Sequence, residues 1–311
     1  MKKRGWSRDM LEYLAARLAC VILGVWPADP AVGFARAVAG PVLYTILREA
    51  RRDGRKHLDL AFASTLGDSE KRLILRRMFS HLAQTSVEFF CWPPTAPSQF
   101  RMDNESSAVL RRVRHARIPP IFVTAHLGSW EVFGLTGGGV SLPVKTAARR
   151  LDNPRLEAWI KARREAGSQR MCPTRGCVTV LSRALRRGQP VVLLADQNQG
   201  RHGIFVNFFG IPASTTPTPA LLSLRTGAPV VACCLVREGA PFRFRAFFAP
   251  PIYPDARRPR EAEVLRITQE YTLILENWIR RYPEQWLWPH RRWRTRPTSS
   301  MILDTPLYAE R

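Results

Sequence analysis

Residues 121–131, Ile-Phe-Val-Thr-Ala-His-Leu-Gly-Ser-Trp-Glu, restrict the possible folds of this chain more than any other stretch. Pro119-Pro120 lead into it, and the run 121–124 is apolar and rich in β-branched residues, which reads as a buried strand. The run breaks at His126-Leu127-Gly128 and restarts as a helix. A buried strand that feeds straight into a helix is the repeating unit of α/β folds, and the ends of such strands are where sites are built. A hydroxyl is a poor nucleophile until a base removes its proton, and neutral imidazole can do so near pH 7. The ring works better when a carboxylate fixes its tautomer. On one continuous helix positions i and i+5 point about 140° apart. With His126 in the preceding loop that restriction disappears, and Gly128 permits the bend that lets His126 and Glu131 meet. Glu131 is therefore the candidate orienting acid. The bland alternative is a buried histidine followed by a helix-surface acid.

Other segments extend the α/β pattern. Residues 142–147 read as a second strand, followed by Arg149-Arg150, and Asn153-Pro154 opens a helix that carries Arg164 on its last turns. Residues 190–195 form a near-continuous apolar run of the kind found in parallel sheets, with Asp196-Gln197 at its end. Residues 228–236 and 242–248 read as strands that pair around Glu238-Gly239, and residues 261–281 as a long amphipathic helix. A guanidinium such as Arg164 near a site stabilises an oxyanion or grips a phosphate; the alternative is a cation closing a helix C-terminus. Trp130 and Phe133 wall a pocket or belong to the core. The aromatic run 203–210, with Phe208 and Phe209, suits the wall of an alkyl-chain pocket.

Four stretches, in this order, resemble the signatures of the late acyltransferases of lipid A biosynthesis, the lauroyl/myristoyl acyltransferase family. They are Thr124-Ala-His126-Leu-Gly-Ser-Trp-Glu131; Asn153-Pro154 with Arg164; Ala195-Asp196-Gln197 followed by Gly203-Ile-Phe-Val-Asn-Phe-Phe-Gly210; and Pro283-Glu-Gln-Trp-Leu-Trp288 followed by His290-Arg-Arg-Trp293. The resemblance covers roughly residues 115 to 297 and is looser in the N-terminal third. There His57-Leu58 and Phe62-Ala63 replace the family's Asn-Leu and Phe-Pro. The resemblance implies a mixed sheet flanked by helices, of the glycerolipid-acyltransferase kind, behind an N-terminal helical membrane-docking region. It implies transfer of a fatty acyl group from acyl carrier protein to a hydroxyl of a glycolipid at the inner membrane, with the site facing the cytoplasm. His126 and Glu131 would be catalytic. Arg164, Asp196, Gln197 and Arg149 would serve the oxyanion or the substrate, and Trp130, Phe133, Phe208 and Phe209 the acyl chain. Asp196 has three open roles: orienting His126, binding the acceptor or capping its loop. No cofactor and no metal are expected, because a thioester carries its own driving force and the chain has neither a phosphate-binding glycine loop nor a metal-ligand cluster. Two rivals stand beside this reading. One keeps the fold and changes the substrates, to a phosphatidylinositol mannoside or lysophospholipid with acyl-CoA as donor. The other is a non-catalytic basic protein that binds membrane or nucleic acid.

Charge bears on the partners. Lys+Arg of 48 against Asp+Glu of 25 gives +23, which suits an acidic carrier protein, an anionic membrane surface or a phosphorylated acceptor. No nucleic-acid-binding motif accompanies the charge, so nucleic acid is not an expected partner. Arg48, Arg51, Arg52, Arg55 and Lys56 fall on one helix, as a solvated face or a contact for anionic head groups. Trp286, Trp288 and Trp293 interleave with arginines, as a membrane-interface belt or a packed aromatic end to the core. The six cysteines lack metal spacing and read as reduced. Residues 10–26 are apolar but short and interrupted by Glu12 and Arg17, which fits an interfacial or shallowly inserted helix better than a span of about 20 residues. The expected organisation is docking helices over 1–47, an acyltransferase domain over 48–297 and a disordered tail over 298–311.

Overall fold

The computed structural model describes residues 5–63, 65–91, 100–136, 143–239 and 241–297. The glycine turn expected at 137–139 and the tail 298–311 lie outside them. The chain opens with α1 (Trp6–Gly24), α2 (Ala28–Phe34) and α3 (Gly40–Ile46), the last two joined by a turn of π-helix (Ala35–Ala39). Next come α4 (Arg48–Phe62) and α5 (Asp68–Cys91). The α/β region then runs β1 (Phe100–Arg101), α6 (Asn104–Arg114), β2 (Ile121–Thr124), α7 (Trp130–Leu135), β3 (Val144–Ala148), α8 (Pro154–Ala166), β4 (Gln169–Pro173), α9 (Cys177–Arg186) and β5 (Val191–Leu194). It continues with β6 (Ile204–Phe208), β7 (Ile211–Thr215), α10 (Thr218–Thr226), β8 (Val230–Arg237), β9 (Phe244–Phe248) and α11 (Arg260–Arg281).

Seven strands form one mixed sheet in the order β1-β9-β8-β2-β5-β3-β4, and β6-β7 is a separate hairpin. Neighbours in the large sheet run parallel except β8 and β9. Side chains alternate between two cores. Ile121, Val123, Val191, Leu193, Val230 and Ala232 enter one, while Phe122, Val192 and Val231 enter the other. Helices cover both, which is why these strands read as apolar on every residue. β4 is not legible as a strand because Gln-Arg-Met-Cys-Pro is an edge strand with two of its five residues exposed.

β2 lies between β8 and β5, and its register with β5 pairs Thr124 with Leu194. The two chains therefore leave the sheet side by side. The residue two beyond Thr124 is His126, and the residue two beyond Leu194 is Asp196. After His126 the chain turns through Gly128, whose φ of +63° puts it in the left-handed region and whose added Cβ would stand 1.9 Å from the Leu235 carbonyl oxygen. Only glycine fits there.

The C-terminal tryptophans form an aromatic end to the core. Trp286, Trp288 and Trp293 are buried, and Trp286 meets Trp288 edge-on at 4.6 Å between centroids. This corrects the membrane-belt reading, since a ring closed off from solvent cannot sit among head groups. Phe208 and Phe209 join the same cluster, against Trp286 and Trp288 respectively. Phe209-Gly210 is the two-residue turn of the β6-β7 hairpin, with φ of 55° and 75°. Positive φ at both central positions is the geometry that matches strand twist. Phenylalanine is a strained occupant there. Its backbone N–H is anchored on Glu276 Oε2 at 2.6 Å.

The N-terminal helices differ from the rest in what they expose. Leu11, Leu14, Leu18, Val21, Ile22 and Val25 on and just after α1 are all exposed, as are Phe34, Val38, Val42 and Ile46 farther on. Among the described residues no single helix is long and apolar enough to cross a membrane; α2–α3 and α4 together pass by length and composition but bend by 90°.

Candidate active site

His126 and Asp196 meet because their strands are neighbours. The His126 ring nitrogen Nδ1 lies 2.9 Å from Asp196 Oδ1, and the His126 backbone N–H donates to Asp196 Oδ2 at 2.8 Å. The Trp286 indole N–H donates to the same Oδ2 at 2.8 Å. Burial alone would raise the Asp196 pKa; the His126 ring and these three hydrogen bonds outweigh it and hold the carboxyl at about 2. An ionised Asp196 accepts a hydrogen bond and so favours a proton on Nδ1; in the neutral ring that tautomer carries its lone pair on Nε2. The Gln197 amide nitrogen stands 3.4 Å from Nε2, and Trp130 lies edge-on to the ring at 5.4 Å between centroids. The His126 carbonyl is tied to Leu287 N–H at 3.1 Å, so ring and backbone are both fixed.

Glu131 is engaged elsewhere. It takes Arg164 in a two-point grip, from Nε at 3.0 Å and from Nη2 at 2.6 Å. The expectation that Glu131 orients the His126 ring is corrected: Asp196 holds Nδ1, and Glu131 sits on the first turn of α7, where it meets α8 across the cleft. Arg163 turns the other way, donating to the Phe89 carbonyl at 3.0 Å. Asn153 caps α8, accepting from the Arg155 and Leu156 N–H groups at 3.0 and 3.3 Å, and donates to the Asp9 carbonyl of α1 at 2.9 Å. Trp159 of α8 stacks on Phe90, 4.4 Å between centroids. Arg149 is exposed at the rim, 3.7 Å from Asp152.

A cleft of about 600 Å³ runs over the C-terminal ends of β2, β5, β3 and β4. His126, Trp130, Glu131, Arg149, Arg164 and Gln197 all line it. Asp196 lies beneath its floor. Phe133, Phe208 and Phe209 do not face it. Phe133 packs on Phe248 in the core, and the other two form the hairpin turn and its aromatic cluster, so three of the four residues assigned to an alkyl-chain pocket are core instead. Thr124, Thr146 and Gln169 give the floor polar groups, while Met171, Val192 and Leu194 make it apolar between them. No serine or cysteine lines the cleft among the described residues, and none of these residues forms a group of three metal-ligating side chains.

Three supporting residues of the C-terminal signature were not among the candidate site residues. Trp286 completes the hydrogen bonding of Asp196. His290 lines the cleft and accepts the Asn198 N–H at 2.9 Å; burial chiefly lowers its pKa to about 4, so it is neutral. Arg292 is sealed in the core, donating to the Ser214 carbonyl at 2.5 Å and to Thr215 Oγ1. It ties the hairpin to the C-terminal segment.

The arrangement supplies an oriented imidazole base and a guanidinium at the mouth of a sheet. These features can activate a hydroxyl and stabilise developing negative charge. Comparison with known proteins gives this chemistry a family. Residues 1–295 match the family described as bacterial lipid A biosynthesis acyltransferase, and the chain belongs to it. It is 27% identical over 309 residues to the lipid A biosynthesis palmitoleoyltransferase of Escherichia coli (strain K12), covering 96% of this chain and 97% of that protein. It is 22% identical to the lauroyltransferase of the same pathway from the same organism, over 83% of each chain. A phosphatidylinositol mannoside acyltransferase of Mycobacterium tuberculosis is 27% identical over 175 residues, 55% of this chain and 53% of that protein. The chain is thus an acyltransferase.

Proposed function

We propose that this acyltransferase moves a fatty acyl group from the thioester of acyl carrier protein to a hydroxyl of a lipid A precursor, working at the inner membrane with its cleft on the cytoplasmic side. The observation that carries the reading is the His126–Asp196 pair: the carboxylate takes Nδ1, and the ring lines the cleft with Nε2 left for a substrate hydroxyl. In the reaction, Nε2 takes the proton of the acceptor hydroxyl as its oxygen attacks the thioester carbonyl carbon. Arg164, held by Glu131, stabilises the negative charge on the carbonyl oxygen or on a phosphate of the acceptor. The tetrahedral intermediate collapses, the carbon–sulfur bond breaks, and the His126 imidazolium returns the proton to the leaving thiolate. The acyl ester and the free carrier thiol are the products. Attack is direct, in keeping with the lack of serine and cysteine among the described cleft residues.

The membrane part of the reading rests on the exposed leucines and valines of α1 to α3. Exposed apolar side chains gathered on the N-terminal helices suit a contact with lipid or with a partner. The formal charge of +23 favours an acidic donor protein and an anionic surface. The mycobacterial relative supports the alternative acceptor, a phosphatidylinositol mannoside. Purified enzyme given dodecanoyl acyl carrier protein and either acceptor in detergent micelles tests the whole reading. Ester formation on the lipid A precursor, lost by at least about 10²-fold in a folded His126→Ala variant, is the expected result. Full activity in that variant, or a trapped acyl-enzyme, contradicts it.

A further inference from the structure

Behind the catalytic turn, on the side away from the cleft, lies a sealed polar cluster. Glu88 of α5 and Arg237 at the end of β8 form an ion pair with side-chain exposures of 0% and 7%. Arg237 Nε donates to Glu88 Oε1 at 2.9 Å, and Nη2 donates to Oε2. The Ser129 hydroxyl donates to the same Oε2 at 2.8 Å. His81 of α5 bridges the other way: Arg237 Nη1 donates to its Nδ1, and its Nε2–H donates to the Gly128 carbonyl at 3.1 Å. Burial, with the Arg237 cation second, keeps this ring neutral by holding its pKa well below the ordinary value.

Three features separate this cluster from ordinary packing. First, Ser129 stands at the N-cap of α7 but its side chain makes no cap bond. A serine there normally satisfies a helix N–H, and this one is spent on Glu88. Second, the turn is gripped from every side: Gly128 N–H donates to the Gln285 carbonyl at 3.0 Å, and Ser129 N–H to the Leu235 carbonyl at 2.7 Å. Third, a buried ion pair is a poor source of stability, because desolvation offsets the attraction and apolar replacements are often as stable. What such a pair does fix is position. Serine, histidine and glutamate occur together here, yet the hydroxyl is fully buried and hydrogen-bonded to a carboxylate, and none of the three lines the cleft. The cluster performs no nucleophilic chemistry.

We infer that Glu88, Arg237, His81 and Ser129 are positioning residues that set the offset between His126, two residues before the turn, and Glu131, two residues after it. The offset decides whether Nε2 and the Arg164 guanidinium can meet one substrate at once. The inference rests on the proposed base and oxyanion roles of these groups.

The test compares Ser129→Ala, the double variant Glu88→Leu/Arg237→Met and His126→Ala in the carrier-thioester assay. For each, kcat and both KM values are measured alongside circular dichroism and the thermal midpoint. Misplacing reacting groups by about 1 Å can cost about 10²-fold in rate. Ser129→Ala is expected to keep its thermal midpoint and both KM values while kcat falls about tenfold, and the folded double variant to lose about 10²-fold in kcat. Wild-type kcat in Ser129→Ala, or a loss confined to KM or tracking the thermal midpoint, overturns the inference, whether or not the double variant folds. An inactive His126→Ala beside a fully active Ser129→Ala removes this inference alone. A fully active His126→Ala removes the assignment of the base.

Discussion

The His126 side of the cleft hangs from β2 and β5 at the centre of the sheet, with Asp196 sealed beneath it, whereas the Arg164 side stands on α8, a helix with no buried residue. On the first side, register places the groups: two parallel strands in step deliver a histidine and an aspartate to adjacent positions, and Trp286 and Leu287 close over them. On the second, a few polar and aromatic contacts do the placing, chiefly the Glu131 grip, the Asn153 cap and the Trp159–Phe90 stack. On the proposed mechanism, the group that moves a proton at hydrogen-bond distance is thus built into the buried core, and the group that meets a bulky charged substrate stands on a helix with no buried residue.

If that division holds, the largest loss comes from the core side. Asp196→Asn removes the charge that fixes the Nδ1–H tautomer, and kcat should fall about 10³- to 10⁴-fold with little change in fold, as single-turnover rates would show. Removing Arg164, as Arg164→Met, should cost about 10²- to 10³-fold, the usual range for losing one oxyanion donor. A loss equal to that of Asp196→Asn would erase the contrast. Lysine at 164 should restore only part, because it cannot reproduce the two-point grip on Glu131.

Stability gives a third comparison. The folded pKa of Asp196 lies below its ordinary value, so its contribution is fully present above about pH 4 and is lost as pH falls toward about 2. A shift from 3.8 to about 2 corresponds to about 2 kcal/mol. The difference in urea unfolding free energy between wild type and Asp196→Asn should shrink over that window. The smallest effect belongs to Asn153→Ala: about 1 kcal/mol of helix capping, read as earlier hydrogen exchange over α8, with KM changed more than kcat. A kcat effect matching that of Asp196→Asn would show α8 to be as rigid a part of the machinery as the sheet.

Much of this was readable in the chain. The apolar runs at 121–124 and 190–195 announced buried parallel strands, and the breaks after them placed His126 and Asp196 at strand ends. The capped start at Asn153-Pro154 announced α8. The pairings were not readable, because strand order and register are long-range facts: nothing local to Glu131 says that its carboxylate faces Arg164, or that Asp196 will sit beside the histidine. Proximity along the chain favoured Glu131 and was overruled by the sheet. Phe208-Phe209-Gly210 misled for a related reason. Composition shows two aromatics fit for a pocket wall, while the backbone uses Phe209 and Gly210 as a hairpin turn. His81 and Glu88 were silent, since a lone histidine and a glutamate on an amphipathic helix look like its solvated face until burial shows otherwise.

The claim on which the rest depends is that Asp196 keeps the proton on Nδ1 of His126 and leaves Nε2 bare. Nitrogen NMR of enzyme labelled in its histidine rings measures this directly, with His126→Gln identifying the signal. The account predicts that the neutral form of the wild-type ring carries its proton on Nδ1 and none on Nε2, and that this preference is lost in Asp196→Asn. A neutral wild-type ring carrying its proton on Nε2, or a tautomer indifferent to Asp196 but altered by Glu131→Gln, would contradict it.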